Sequence, residues 1–180
     1  MDLMDLQCEA VPESVGLLER CVDATSLRHV MGHFATGVAV VTAVDDRGQP
    51  VGTTVNAITS ASLEPPLVLV CFGLASATLR AVRESAAFAI NVLGAEHGHL
   101  ASGFARRGEC KPWRLARHQL GQTGTPRLEG VLAGLECRVE QRLPLGDHEL
   151  VVGRVVAAEV GREAAEPLVF YRGAYSSLRR

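Results

Sequence analysis

At 180 residues the chain is long enough for one domain with a sizeable buried core. Apolar residues make up 47% and charged residues 21%, and 18 basic against 20 acidic side chains leave a formal charge of -2. That balance is ordinary for a globular protein and excludes one built mainly to grip phosphate backbones.

Residues 1–24 read as an N-terminal extension, polar apart from Val15, Leu17 and Leu18, and the domain is expected over 25–180. Thr25 and Ser26 can cap a first helix, after which Leu27, Val30, Met31 and Phe34 recur at i, i+3, i+4 and i+7 and predict one inward face. Gly37 ends that segment, and strands follow: 38–44, a turn at 45–48, then 51–58. After Pro65-Pro66, the apolar run 67–72 predicts a strand buried on both faces. Ser76 can cap a second helix over 77–84 with Leu79 and Val82 inward. A strand at 87–93 and a helix at 96–105 come next, then a long surface segment at 106–126 whose only large aromatic is Trp113. Residues 132–143 and 148–160 predict a hairpin around 144–147, and 167–171 a last short strand. Six or seven strands with two or three short helices predict a mainly β fold, a closed or nearly closed barrel, rather than a doubly wound sheet.

The motifs narrow the chemistry further. There is no G-x-G, hence neither a dinucleotide fingerprint nor a Walker loop, and no G-x-S-x-G for a serine hydrolase. His29 and His33 stand at i, i+4 without the glutamate of H-E-x-x-H or an evident third ligand, so no metal site is expected. The five cysteines, Cys8, Cys21, Cys71, Cys110 and Cys137, are scattered and form no C-x-x-C. That pattern argues against a disulfide framework and for a cytoplasmic home. The N-terminus has no signal-peptide pattern, and no apolar run is long enough to span a membrane.

Three stretches are candidates for binding. Along 52–62, Gly52, Thr54 and Asn56 share one strand face and lead into the serines Ser60 and Ser62. Small hydrogen-bonding groups of this kind suit a planar ligand with polar edges, although a threonine-rich edge strand would look the same. Ser76 and Thr78 open a helix beside Arg80, either as ordinary caps or as a phosphate site. Gly146-Asp147-His148 places an imidazole at a hairpin tip, where it can meet a substrate or simply face solvent.

Taken in order, Phe34-Ala-Thr-Gly-Val38, Gly52-x-Thr54-x-Asn56 with Ser60-x-Ser62, Pro65-Pro-Leu67, Ser76-x-Thr78, Asn91-Val-Leu93 and Gly146-Asp-His148 form a series. That series resembles the flavin reductase family with the FMN-binding split-barrel fold, the reductase components of two-component flavin-dependent monooxygenases. The resemblance runs from about residue 26 to the C-terminus and implies hydride transfer from NADH or NADPH to FAD or FMN. It implies that Thr36, Gly37 and Val38 lie beside the flavin ring and the nicotinamide, and that Thr54, Asn56, Ala57, Ser60 and Ser62 cradle the flavin. Ser76 and Thr78 match the phosphate end, and Phe104 an aromatic near the cofactor. Asp147 and His148 match the loop where the nicotinamide enters, with His148 the catalytic candidate. The implied partners are a separate monooxygenase served by diffusing reduced flavin and a second copy in a homodimer, with neither nucleic acid nor membrane. A flavin-holding electron carrier or sensor on the same fold is the alternative.

Overall fold

The computed structural model describes residues 22–106, 108, 111–161 and 165–178, so nearly all of the 1–24 extension lies outside the described residues. Helix α1 (Ala24–Met31) leads to β1 (Thr36–Gly37), β2 (Ala39–Val44), β3 (Pro50–Val55), β4 (Ile58–Leu63) and β5 (Pro66–Gly73). Helix α2 (Ala77–Ser85) precedes β6 (Ala87–Val92), and a short 3-10 turn (Ala95–His97) runs into α3 (Gly98–Ala105). Then come β7 (His118–Leu120), β8 (Pro126–Leu128), β9 (Ala133–Leu145), β10 (His148–Val160), β11 (Leu168–Tyr171) and β12 (Ala174–Ser177).

Seven antiparallel strands form one sheet in the order β3-β2-β6-β9-β10-β5-β4. The two edge strands, β3 and β4, are consecutive in the chain and separated only by Asn56 and Ala57. A sheet whose outer edges are joined by two residues must curl round on itself, and the Cys71 amide donates to Ala57 O at 3.0 Å across the seam. The result is a barrel split along one line. Leu79 and Val82, fully buried, plug α2 into its interior against Phe72, Phe88 and Val151. A second apolar cluster lies outside β2 and β6, where Val38 and Val40 meet Leu100 and Phe104 of α3. Among the described residues no helix is long and apolar enough to cross a membrane.

Several local expectations are corrected. The span 51–58 is not one strand: it breaks at Asn56, and Ser60 and Ser62 stand on β4 rather than in a turn. Strand β5 buries Val68, Val70 and Phe72 but leaves Leu67, Leu69 and Cys71 half-buried, because its other face borders a cleft. The cap of α1 is Asp23, whose carboxylate accepts from Thr25 N at 2.8 Å and Ser26 N at 2.9 Å. The apolar stripe of α1 faces outward, with Val30 65% and Phe34 68% exposed. Within 106–126, β7 pairs with the start of β8, so that surface segment carries a small ribbon.

Buried polar groups bind the layers together. Asn91 donates through Nδ2 to Val40 O at 3.0 Å and Thr42 Oγ1 at 3.2 Å, and its Oδ1 accepts from Leu128 N at 2.8 Å. Thr42 in turn donates to Pro126 O. The asparagine of the 91–93 motif is thus a structural knot joining β2, β6 and β8.

Candidate active site

The seam of the split barrel opens into two adjoining clefts. The larger, of about 810 Å³, lies between Met31, Phe34 and Thr36–Ala39 on one side and Asn56–Thr59 with Leu69 and Cys71 on the other. The smaller, of about 200 Å³, is lined by Thr54, Asn56, Ala57, Gly73, Ser76 and His148 among others. Asn56, Ala57 and Cys71 belong to both. Sites for small organic ligands run to roughly 300–1,000 Å³. The larger cleft can therefore take a fused aromatic ring system, and the smaller only an end group.

Thr36, Gly37, Val38, Asn56 and Ala57 of the sequence-derived set meet in the larger cleft. Asn56 is exposed on that wall, and among the described residues its side chain makes no hydrogen bond. Thr36 Oγ1 is shielded from water without a hydrogen-bond partner. A buried hydroxyl left unpaired is costly, and a ligand group in the cleft would relieve that cost. An apolar slot with these two polar groups at its edge fits a flavin.

Thr54, Ser76 and His148 join Asn56 and Ala57 around the smaller cleft. Thr54 is already engaged, donating through Oγ1 to Ala101 O at 2.7 Å and so tying β3 to α3. Ser76 caps α2 by accepting from Leu79 N at 3.3 Å. Its position puts a helix start, with its unpaired amides and positive dipole end, beside the cleft.

His148 follows a two-residue turn in which Gly146 takes φ +56°, a left-handed conformation that glycine adopts freely. Its Nδ1 lies 2.7 Å from Asp147 Oδ1. The imidazole holds the Asp147 carboxyl below the ordinary carboxylate range, with a smaller contribution from Arg28. Nε2 points over Gly73, 3.8 Å from where a Cβ would sit, so glycine keeps room for the ring.

The remaining candidates lie apart from the clefts. Ser60 is exposed on β4, and Ser62, at a bulge in the β4–β5 pairing, accepts from Glu64 N at 3.2 Å. Thr78 is buried under α2. Phe104 is fully buried, edge-on to Trp113 at 5.0 Å. It braces β3 from behind at Gly52, where a Cβ would lie only 3.0 Å from its ring. Asp147 stands exposed at the rim.

Sequence reasoning missed Met31, Phe34 and Cys71 as lining residues. Cys71 was traceable in principle, since it falls out of phase with Val68, Val70 and Phe72 along β5. Cys137, by contrast, is fully buried, and burial pushes its thiol up to about 12. Among the described residues no group of three potential ligands gathers to hold a metal.

Comparison with known proteins agrees with this geometry. The flavin reductase like domain family matches residues 31–179. The reductase component of a 4-nitrophenol 4-monooxygenase/4-nitrocatechol 2-monooxygenase from Rhodococcus opacus is 43% identical over 154 residues, covering 86% of this chain and 80% of that protein. An NADH-dependent FMN reductase from Streptomyces nodosus subsp. asukaensis is 39% identical, covering 86% of this chain and 85% of its own length. Among solved structures, the NADH:FAD oxidoreductase of Streptomyces globisporus C-1027, in complex with NAD and FAD fragments, superposes with TM-score 0.81 at 34% identity. That superposition covers 87% of this chain and 93% of that one. With the split barrel, the apolar cleft and the ordered motifs, these matches place the chain in the flavin reductase family.

Proposed function

We propose that the chain is an NADH-dependent flavin reductase that passes a hydride to FMN or FAD and supplies the reduced flavin to a separate monooxygenase. The observation that carries this is the joining of two clefts of unequal size at one shared wall, with His148 over the smaller. Thr36–Val38 and Asn56–Ala57 would hold the flavin ring between them. The amides at the start of α2 and the Ser76 hydroxyl would receive a phosphate. Bound flavin supplies the hydride acceptor, so the protein's task is to bind, orient and exclude water rather than to provide an acid–base pair. His148 docks the nicotinamide, and Asp147 fixes which imidazole nitrogen faces the cleft.

Two further parts of the reading concern assembly and location. The exposed stripe of α1 includes Met31 and Phe34, which also line the larger cleft. A second copy packed on that stripe would cover apolar surface and roof the site at once, which supports a homodimer. The formal charge of -2 is in keeping with a protein that engages neither nucleic acid nor an anionic membrane surface. Free thiols at Cys71 and Cys137 suit the reducing cytoplasm.

The test is anaerobic NADH oxidation by purified protein with FAD, FMN and riboflavin in turn. Loss of nicotinamide absorbance only in the presence of flavin is the expected result. Flavin-loaded protein that leaves both NADH and NADPH untouched would be a carrier, not a reductase.

A further inference from the structure

Glu149 occupies a position where β10 turns side chains into the barrel. It pairs with Phe72 across the sheet, and Val151, two residues on, is fully buried. The carboxylate itself is only 7% exposed. Taking a carboxylate out of water is costly, and even a well-paired one seldom stabilises a fold more than an apolar residue of similar volume would. Stability alone therefore gives little reason for an acid here.

Its partner supplies a reason. Arg83 of α2 reaches Glu149 with both prongs, Nε lying 3.2 Å from Oε1 and Nη2 contacting Oε2. Arg142 of β9 stands 3.9 Å away on the same carboxylate. The Arg83 guanidinium holds the Glu149 carboxyl below the ordinary range. Arg83 belongs to the helix that begins at Ser76, and Glu149 directly follows His148; Ser76 and His148 line the smaller cleft. The two ends of the bridge are unequally anchored. Helix α2 is held by buried Leu79 and Val82, whereas Pro144, Leu145, Asp147 and His148 at the hairpin tip are all exposed. Beyond strand pairing, the tip's backbone link to this region is the Leu74 amide donating to Asp147 O at 3.1 Å.

We propose that Arg83 and Glu149 are positioning residues, whose two-pronged pair pins the hairpin tip carrying His148 to the helix carrying Ser76 and so sets the span of the smaller cleft. The inference rests on the reading of His148 as the residue that docks the nicotinamide. A planar guanidinium fork constrains both distance and orientation, which a single-point contact does not. Loss of the pair leaves α2 in its socket and frees the tip, so the nicotinamide should suffer and the flavin should not.

The experiment compares wild type, Glu149→Gln, the double variant Arg83→Met/Glu149→Leu, Arg83→Lys and His148→Ala, well below their melting temperatures. Steady-state NADH kinetics and flavin titration are measured on each. The double variant removes both charges together, so no unpaired ion is left buried and folding is preserved. Both Glu149→Gln and the double variant should raise KM for NADH by about fivefold, with kcat and flavin Kd within about twofold of wild type. Arg83→Lys, which keeps the charge and loses the fork, should fall between. If His148→Ala raises KM while the folded double variant matches wild type, the pair is not a positioning device and the inference fails. If His148→Ala itself leaves the NADH dependence unchanged, the docking role of His148 fails first and the inference falls with it.

Discussion

Asn56 stands where β3 gives way to β4, exposed on the wall common to both clefts, with its amide unpaired among the described residues. Asn56→Leu should therefore weaken flavin binding by about 1–3 kcal/mol while the melting temperature holds, since it removes a ligand contact and no internal one. Flavin titration beside a thermal melt checks this, and unchanged affinity with a lowered melting temperature would make Asn56 structural. His148→Ala should lower kcat/KM for NADH about tenfold, mostly through KM, because docking holds ground and transition state alike. Stopped-flow reduction of bound flavin across NADH concentrations separates the two parameters. Both residues were visible in the sequence through spacing and motif. Thr54 and Phe104 were visible too, yet the structure gives them inward tasks: Thr54 ties β3 to α3, and Phe104 braces Gly52. A motif records that a residue matters at a position, not whether its side chain faces the ligand or the layer behind it.

At the level of elements, the α2–hairpin bridge has a consequence for acid stability. The Glu149 carboxyl titrates below its ordinary value of 4.5 in the folded protein, chiefly because Arg83 donates to it. Below that ordinary value the unfolded chain takes up the proton before the folded one does. The pair's contribution is thus full above about pH 4.5 and is lost as pH falls through the depressed folded value. Melting temperatures measured from about pH 6 down to pH 3.5 should fall more steeply for wild type than for Arg83→Met/Glu149→Leu. Parallel slopes would mean the bridge adds nothing to stability. The elements themselves were unevenly legible. Helix α2 was read nearly residue for residue because its cap, period and buried face agree. The break at Asn56 was not, because 51–58 has the composition of one strand and the bend is imposed by closure of the sheet. Helix α1 has a correct period, but a period cannot say what covers its face.

For the whole molecule, the barrel class followed from the number and spacing of strands, whereas the seam depended on long-range pairing that no local pattern encodes. The outward stripe of α1, with Leu27 56% and Met31 56% exposed beside Val30 and Phe34, predicts a dimer in solution. Light scattering at micromolar concentration should give twice the chain mass, and Val30→Glu should shift it toward monomer with weaker flavin binding. A fully active monomer would rule the dimer out.

Because Asn56, Ala57 and Cys71 belong to both clefts, a ligand settled in one touches the wall of the other. Equilibrium binding to the two is then reciprocal: whatever factor NAD+ applies to flavin affinity, flavin applies to NAD+ affinity. Saturating NAD+ should move the flavin Kd by about fivefold or more, and the converse titration should return the same factor. A flavin Kd that does not move would make the clefts independent. With a shared wall, departure of the spent nicotinamide resets the hold on the flavin, so the order in which products leave is written into the partition between the clefts.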